Sequence, residues 1–170
     1  RGELLNALHG LKVASPKPVK RAAADYTPPQ DEAQSTDAAR AVRVLAAEDN
    51  KTNRLVFSKM VQALDIELKF AENGAEAVDL FQSFRPDLIF MDISMPGMDG
   101  KAATKEIRRL EEGGEGHVPI IAMTAHAMDG DDTDILAAGL DHYLTKPLRK
   151  ADLIDHISKA RPEDARDPVA

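Results

Sequence analysis

Five residues spread along the 170-residue chain could do chemistry together: the acidic neighbours Glu48 and Asp49, then Asp92, Thr124 and Lys146. Glu48-Asp49, Asp92 and Thr124 follow short apolar runs, and Lys146 follows the strand-like Asp141–Thr145 and precedes Pro147. Three carboxylates gathered at one place repel one another. A hard divalent cation with oxygen ligands removes that penalty. A lysine ammonium can neutralise a further anion, and a threonine hydroxyl can hydrogen-bond to it. Carboxylates, cation, hydroxyl and ammonium together describe a site for an anionic phosphoryl group.

Those residues meet only if the elements before them lie side by side. Val42–Ala47 is a short apolar run that reads as a buried strand, and Val56, Met60 and Leu64 then fall at helical spacing from near Thr52. Ile66–Ala71 reads as a second strand. Ala77, Leu80, Phe81 and Phe84 form an i, i+3, i+4, i+7 stripe that stops before Pro86. Asp87–Met91 is a third strand that runs into Asp92. Ala103, Ile107 and Leu110 mark a third helix, closed by the glycine-rich Gly113-Gly114-Glu115-Gly116. Val118–Met123 reads as a fourth strand, Ala127–Ala138 as a helix with Gly139 as its C-cap, and Asp141–Thr145 as a fifth strand. Leu153, Ile157 and Ala160 stripe a last helix.

Strands alternating with helices in this way predict an α/β fold with a parallel sheet covered on both faces. Right-handed crossovers make it doubly wound, in three layers. Ligands in such folds sit outside the carboxyl ends of the strands. Glu48, Asp49, Asp92, Thr124 and Lys146 all fall on that edge.

The motifs around these residues resemble the receiver domain of response regulators and hybrid histidine kinases. The matching pieces are Ala47-Glu48-Asp49-Asn50-Lys-Thr-Asn53, Met91-Asp92-Ile-Ser-Met95-Pro96-Gly-Met-Asp99-Gly100, Met123-Thr124-Ala125-His126 and Tyr143-Leu-Thr-Lys146-Pro147. They occur in the family's order from about Val42 to Ala160. The resemblance implies a five-stranded flavodoxin-like sheet in the order 2-1-3-4-5. It implies that Asp92 accepts a phosphoryl group from phosphohistidine in a His-Asp phosphorelay, with magnesium as cofactor. Asp49 would be a direct metal ligand, Glu48 its acidic neighbour acting through water, and the Ser94 carbonyl a further ligand. Thr124 would bond a phosphoryl oxygen, Lys146 would pair with the phosphoryl group, and Tyr143 would be an aromatic switch. Lys146-Pro147 would be a cis peptide. Such a domain catalyses its own phosphorylation and dephosphorylation. Its partners would be a histidine kinase domain, in the same parent chain, and a histidine phosphotransfer protein.

Plainer readings exist for every residue. Glu48 and Asp49 could cap the helix that begins near Thr52, Thr124 could be an N-cap, and Lys146 a solvated surface lysine. Tyr143 could be an ordinary half-buried tyrosine. His126, two positions after Thr124, lies where side chains of that family can influence dephosphorylation, and its plainer reading is a surface histidine at a helix start. Two other classes fit less well. A phosphatase with an aspartate nucleophile wants Asp-x-Asp-x-Thr, and Asp92-Ile-Ser-Met-Pro lacks both later residues. A phosphate-binding loop at Gly100-Lys101 lacks the glycine five positions earlier and has Ala102 next. A receiver fold used purely as a binding module would have no need of Asp92, Thr124 and Lys146 together.

Outside the core, residues 1–12 form a short amphipathic stretch with Leu4, Leu5, Leu8 and Leu11 at helical spacing. Arg1-Gly-Glu-Leu-Leu-Asn-Ala-Leu aligns with Lys150-Ala-Asp-Leu-Ile-Asp-His-Ile157. Either residues 1–12 end a preceding receiver-like domain, or two amphipathic helices are alike by chance. His9-Gly10-Leu11-Lys12 resembles a phosphotransfer histidine motif, but Val13 and the Ser15-Pro16-Lys17-Pro18 break argue against it. Residues 13–41 are proline-rich, with no Leu, Ile, Phe or Met, and read as a flexible linker. Residues 42–160 are the folded domain and 161–170 a frayed, disordered tail. A chain that begins at Arg1, with no output module after Ala160, is expected to be the terminal receiver of a hybrid kinase.

Composition sets outer bounds. Hydrophobic residues make up 43% of the chain, enough for a real core, and the net charge of -7 argues against a nucleic-acid groove. There is no cysteine for disulfides or thiolate metal sites. No apolar run approaches the ~20 residues needed to cross a bilayer. A cytosolic location, without membrane contact by this segment, is the expectation.

Overall fold

The computed structural model describes residues 39–114, 116–126 and 131–169. The expectations for residues 1–12, and for 13–38 of the linker, lie outside the described residues.

Ten elements alternate among the described residues. They are β1 (Val42–Ala47), α1 (Lys51–Val61), β2 (Ile66–Ala71), α2 (Gly74–Phe84), β3 (Leu88–Asp92), α3 (Gly100–Glu111), β4 (Ile120–Thr124), α4 (Asp131–Ala137), β5 (His142–Thr145) and α5 (Lys150–Lys159). All paired strands run parallel, as the alternation predicts, in the order β2-β1-β3-β4-β5 that the resemblance implies.

Period-2 alternation on the central strands feeds two separate cores. Leu45, Ala47, Ile89, Met91, Ile120 and Ala122 join α2, α3 and α4 residues on one face. Val44, Ala46, Leu88, Phe90, Ile121 and Met123 join Phe57, Val61, Leu153 and Ile157 of α1 and α5 on the other. Phe57 meets Phe90 edge-on at 5.2 Å, which fixes α1 over the sheet centre. β1 and β3 are paired up to Ala46↔Phe90 and Ala47↔Met91. One step beyond that last pair come Glu48 and Asp92. The register alone therefore carries two acidic residues to the same edge.

Gly100 is required by close approach and Gly139 by its backbone conformation. A Cβ on Gly100 would come within 2.2 Å of the Asp92 carbonyl, so α3 can start against the end of β3 only with glycine there. Gly139 closes α4 with a φ of 100°, as expected for a C-cap. Its carbonyl accepts from Arg108 Nε at 2.9 Å, while the same guanidinium reaches the Val118 carbonyl, Glu111 and Asp141. That fork ties α3 to the start of β4 and to the turn between α4 and β5.

Several boundaries differ from the sequence reading. β4 starts at Ile120, because the Val118 amide is taken by the Glu111 carboxylate instead of a strand neighbour. Asp87 precedes β3, with its carboxylate bound to Arg40 and to the Arg43 amide. Of the helix expected over 127–138, the described part is Asp131–Ala137.

The expected frayed tail is a correction of a different kind. Residues 161–169 fold back on the domain, with Arg40 bridged to Ala165 and its guanidinium paired with Asp164 at 2.6 Å. Arg166 pairs with Asp65 at 2.7 Å, the Asp65 amide donates to the Pro168 carbonyl, and Ala165 is buried. The charges that look solvated in sequence find partners far away along the chain. Arg40 is also part of this clasp, so the folded domain begins before Val42. Among the described residues no helix is long and apolar enough to cross a membrane.

Candidate functional site

Glu48 and Asp49 occupy the corner between β1 and α1. Neither caps the helix: Asn50 does, its side chain accepting from the Thr52 and Asn53 amides. Glu48 is buried, and its Oε1 accepts from Asn53 Nδ2 at 3.0 Å and from the Asn50 amide at 3.1 Å. Its Oε2 accepts from Lys146 Nζ at 2.7 Å.

Asp92 ends β3 and is 3% exposed. One oxygen accepts from the Ser94 amide at 3.0 Å, the other from Lys146 Nζ at 2.9 Å. Lys146 is thus not a solvated surface lysine. Burial alone would make its ammonium easier to lose, but the hydrogen bonds to Glu48 and Asp92 outweigh burial and raise its pKa above the ordinary lysine value. Its amide donates to the Thr124 carbonyl at 2.8 Å, and the Lys146-Pro147 peptide that follows is cis, as expected.

Carboxylate oxygens of Glu48, Asp49 and Asp92 lie within 4.8 Å of one another. Among the described residues, the ammonium of Lys146 is the one paired with Glu48 and Asp92. A set of hard oxygen donors with surplus negative charge fits magnesium, which is held by one or two carboxylates and keeps several waters.

Thr124 ends β4 across from Thr145, with its hydroxyl donating to the His126 carbonyl at 2.8 Å and accepting from the His126 amide. Tyr143 lies on β5 and is 38% exposed. The structure thus brings Glu48, Asp49, Asp92 and Lys146 together, sets Thr124 on the next strand end, and leaves Tyr143 at the surface.

One residue at the site carries no signal in the sequence. Arg54, in the first turn of α1, donates from one nitrogen to the carbonyls of Glu48 at 2.9 Å and Asp49 at 3.0 Å. Its other nitrogen pairs with Glu72 at 2.7 Å. An arginine at the start of an amphipathic helix reads as surface charge until the corner it closes is seen.

A five-stranded parallel sheet in this order, with an acidic pocket at its carboxyl edge, defines a receiver fold. The chain belongs to the response regulator receiver domain family, whose model matches residues 44–158. Among its relatives, the sensor histidine kinase GacS of Pseudomonas protegens is 36% identical over 152 residues. That match takes in 87% of this chain and only 17% of the relative's length. The receiver domain of sensor histidine kinase PA1611 from Pseudomonas aeruginosa was solved with a magnesium ion coordinated in its active site cleft. It is 36% identical with a TM-score of 0.62, covering 70% of this chain and 96% of that one. The receiver domain of the Saccharomyces cerevisiae response regulator Ssk1, solved with the histidine phosphotransfer protein Ypd1, is 30% identical with a TM-score of 0.67. That match covers 74% of this chain and 96% of the other.

Proposed function

We propose that Asp92 is the phosphoacceptor of a His-Asp phosphorelay, in a receiver that is one segment of a cytoplasmic hybrid histidine kinase. The convergence of the buried Asp92 with Glu48, Asp49 and Lys146 at one sheet edge carries this reading. An Asp92 oxygen attacks the phosphorus of a phosphohistidine in line. The new O–P bond forms as the P–N bond breaks, and the imidazole leaves with the electron pair. Asp49, Asp92 and the Ser94 carbonyl would hold magnesium, with Glu48 acting through water. Bound there, the ion neutralises charge on the phosphoryl oxygens. Lys146 turns its ammonium to the incoming phosphoryl group and Thr124 offers its hydroxyl.

The donor has to bring a histidine within reach of Asp92. A cavity of about 260 Å³ beside Glu48 and Lys146 is lined by Val56, Phe57, Met60, Pro147 and Leu148, and Leu55 and Val56 are exposed apolar residues on α1. Such a surface suits the helices of a kinase's histidine domain or of a phosphotransfer protein. The Ypd1 complex of the related Ssk1 receiver supports the second partner type.

Incubation with a small acyl phosphate and magnesium is expected to add one phosphoryl group, removable by hydroxylamine as an acyl phosphate should be. Incorporation that resists hydroxylamine, or none at all, would overturn the reading. Readout then runs through Thr124. Its hydroxyl leaves the His126 carbonyl for a phosphoryl oxygen, and Tyr143 turns inward from its exposed position into the space vacated. Thr124→Ala is expected to accept phosphate while the Tyr143 ring resonances stay unmoved on adding a beryllofluoride mimic. A wild-type Tyr143 response in that variant rules the coupling out.

A further inference from the structure

We infer that Arg54 is a positioning residue for this site, setting the backbone from which Glu48 and Asp49 present their carboxylates. The inference deepens the magnesium reading above and rests on it.

The chain leaves the sheet at Glu48, whose amide makes the last bond to β2 through the Ala71 carbonyl at 2.9 Å. The first helical bond runs from the Arg54 amide to the Asn50 carbonyl at 3.0 Å. The carbonyls of Glu48 and Asp49 fall between these two systems, where neither ladder nor helix supplies a donor. Backbone acceptors at such a corner need a partner from elsewhere. Arg54 provides it by bridging both carbonyls with one nitrogen. The corner therefore closes around one guanidinium nitrogen while another nitrogen of the same rigid plane is held by Glu72, a two-pronged arrangement that the single nitrogen of a lysine ammonium does not reproduce.

The guanidinium is itself held. Its far nitrogen is anchored on Glu72, just past the end of β2, and the Glu72 amide is bound by the Glu76 carboxylate of α2 at 2.8 Å. The Arg54 side chain is 15% exposed, against 65% for Glu72. Arg54 thus spans α1, the β1–α1 corner and the β2–α2 corner, and Asp49 can shift little without breaking the fork. Residues that orient metal ligands without touching the metal commonly alter affinity as ligands do.

Charge and position predict opposite outcomes here. Arg54 places a cation close to a carboxylate site, and like charges oppose a divalent ion. If charge were its only influence, removing it would tighten magnesium binding. If it positions the corner, removing it weakens binding.

The test is a magnesium titration of the full chain followed by backbone amide shifts, for wild type, Arg54→Met and Arg54→Lys, well below the melting temperature. Arg54→Met is expected to raise the magnesium Kd roughly tenfold. Its largest shift changes should fall at Glu48, Asp49 and Asn50. Arg54→Lys, which keeps the charge but not the fork, should also bind more weakly than wild type, and it serves where the methionine variant fails to fold. Unchanged or tighter binding in a folded variant overturns the inference while leaving the metal site standing. Failure of the wild type to bind magnesium overturns the metal reading, and this inference with it.

Discussion

Asp92→Asn is expected to abolish phosphoryl uptake from a small acyl phosphate while the fold survives. The amide is close in shape to the carboxylate but has no anionic oxygen to attack phosphorus. The residue is 3% exposed, and its side chain sits between two donors, the Ser94 amide and the Lys146 ammonium. The asparagine oxygen can satisfy one of them, and the amide nitrogen must then face the other. That mismatch destabilises. Against it, the variant removes one of two buried carboxylates that share a single ammonium, which relieves repulsion with Glu48. The two effects oppose each other, so the melting temperature should move far less than the activity. Intact-mass measurement after phosphodonor treatment reads the loss directly. Uptake at the wild-type rate would make another carboxylate the acceptor, and Asp49 and Glu48 are then the residues to substitute.

The site was legible in the sequence because its residues obey local rules. Each of Glu48, Asp92 and Thr124 directly follows a strand's apolar alternation, so the parallel sheet brings them to one edge without long-range information. The pairing of Ala47 with Met91 converts two separate strand ends into neighbours, and the strand order needed for that came from the family resemblance, since periodicity does not determine it. What stayed hidden depends on contacts remote in sequence. The Arg40–Asp164 pair joins residues 124 positions apart, and the last turn of chain is held by it, by Asp65 and by single apolar contacts such as Ala165. No periodic stripe marks such a segment, so its charges and prolines read as a tail. Arg54 escaped for the same reason: its role lies in two carbonyls that no residue type advertises. The cap is Asn50 and neither of its acidic neighbours, and residue type alone does not choose among them, since asparagine is as good an N-cap as aspartate.

Lys146→Met should have the largest effect on stability, and an effect that magnesium diminishes. Lys146 Nζ lies 2.7 Å from Glu48 and 2.9 Å from Asp92, whose side chains are 5% and 4% exposed. Removing the cation leaves both carboxylates buried without their counter-charge. Breaking a buried pair from one side costs about 3 kcal/mol, at the lower end of the usual range because the lysine side chain is itself partly exposed. A methionine fills much of the same space, so lost packing contributes little. The raised pKa of Lys146 sets the pH window of the comparison. A group whose folded pKa lies above its unfolded value contributes fully below the unfolded pKa and loses that contribution as pH rises through the folded one. At neutral pH the wild type therefore holds the whole contribution, and the gap between the two proteins should close only in strong alkali. Magnesium brings positive charge to the same carboxylates and, without the ammonium competing, should bind the variant more tightly than the wild type. Both proteins gain stability from the ion, so the gap between them narrows only by the difference in affinity, about 1.4 kcal/mol for each tenfold tighter binding by the variant. Urea unfolding in chelator should thus show a large drop in midpoint for the variant, and unfolding in magnesium a smaller one. Phosphoryl uptake should stay low even in magnesium, on the order of a hundredfold below wild type, because the ammonium no longer faces the transferring group. Equal midpoints in chelator would mean that Lys146 does not compensate the buried acids, and full activity in magnesium would remove it from the phosphoryl-transfer step.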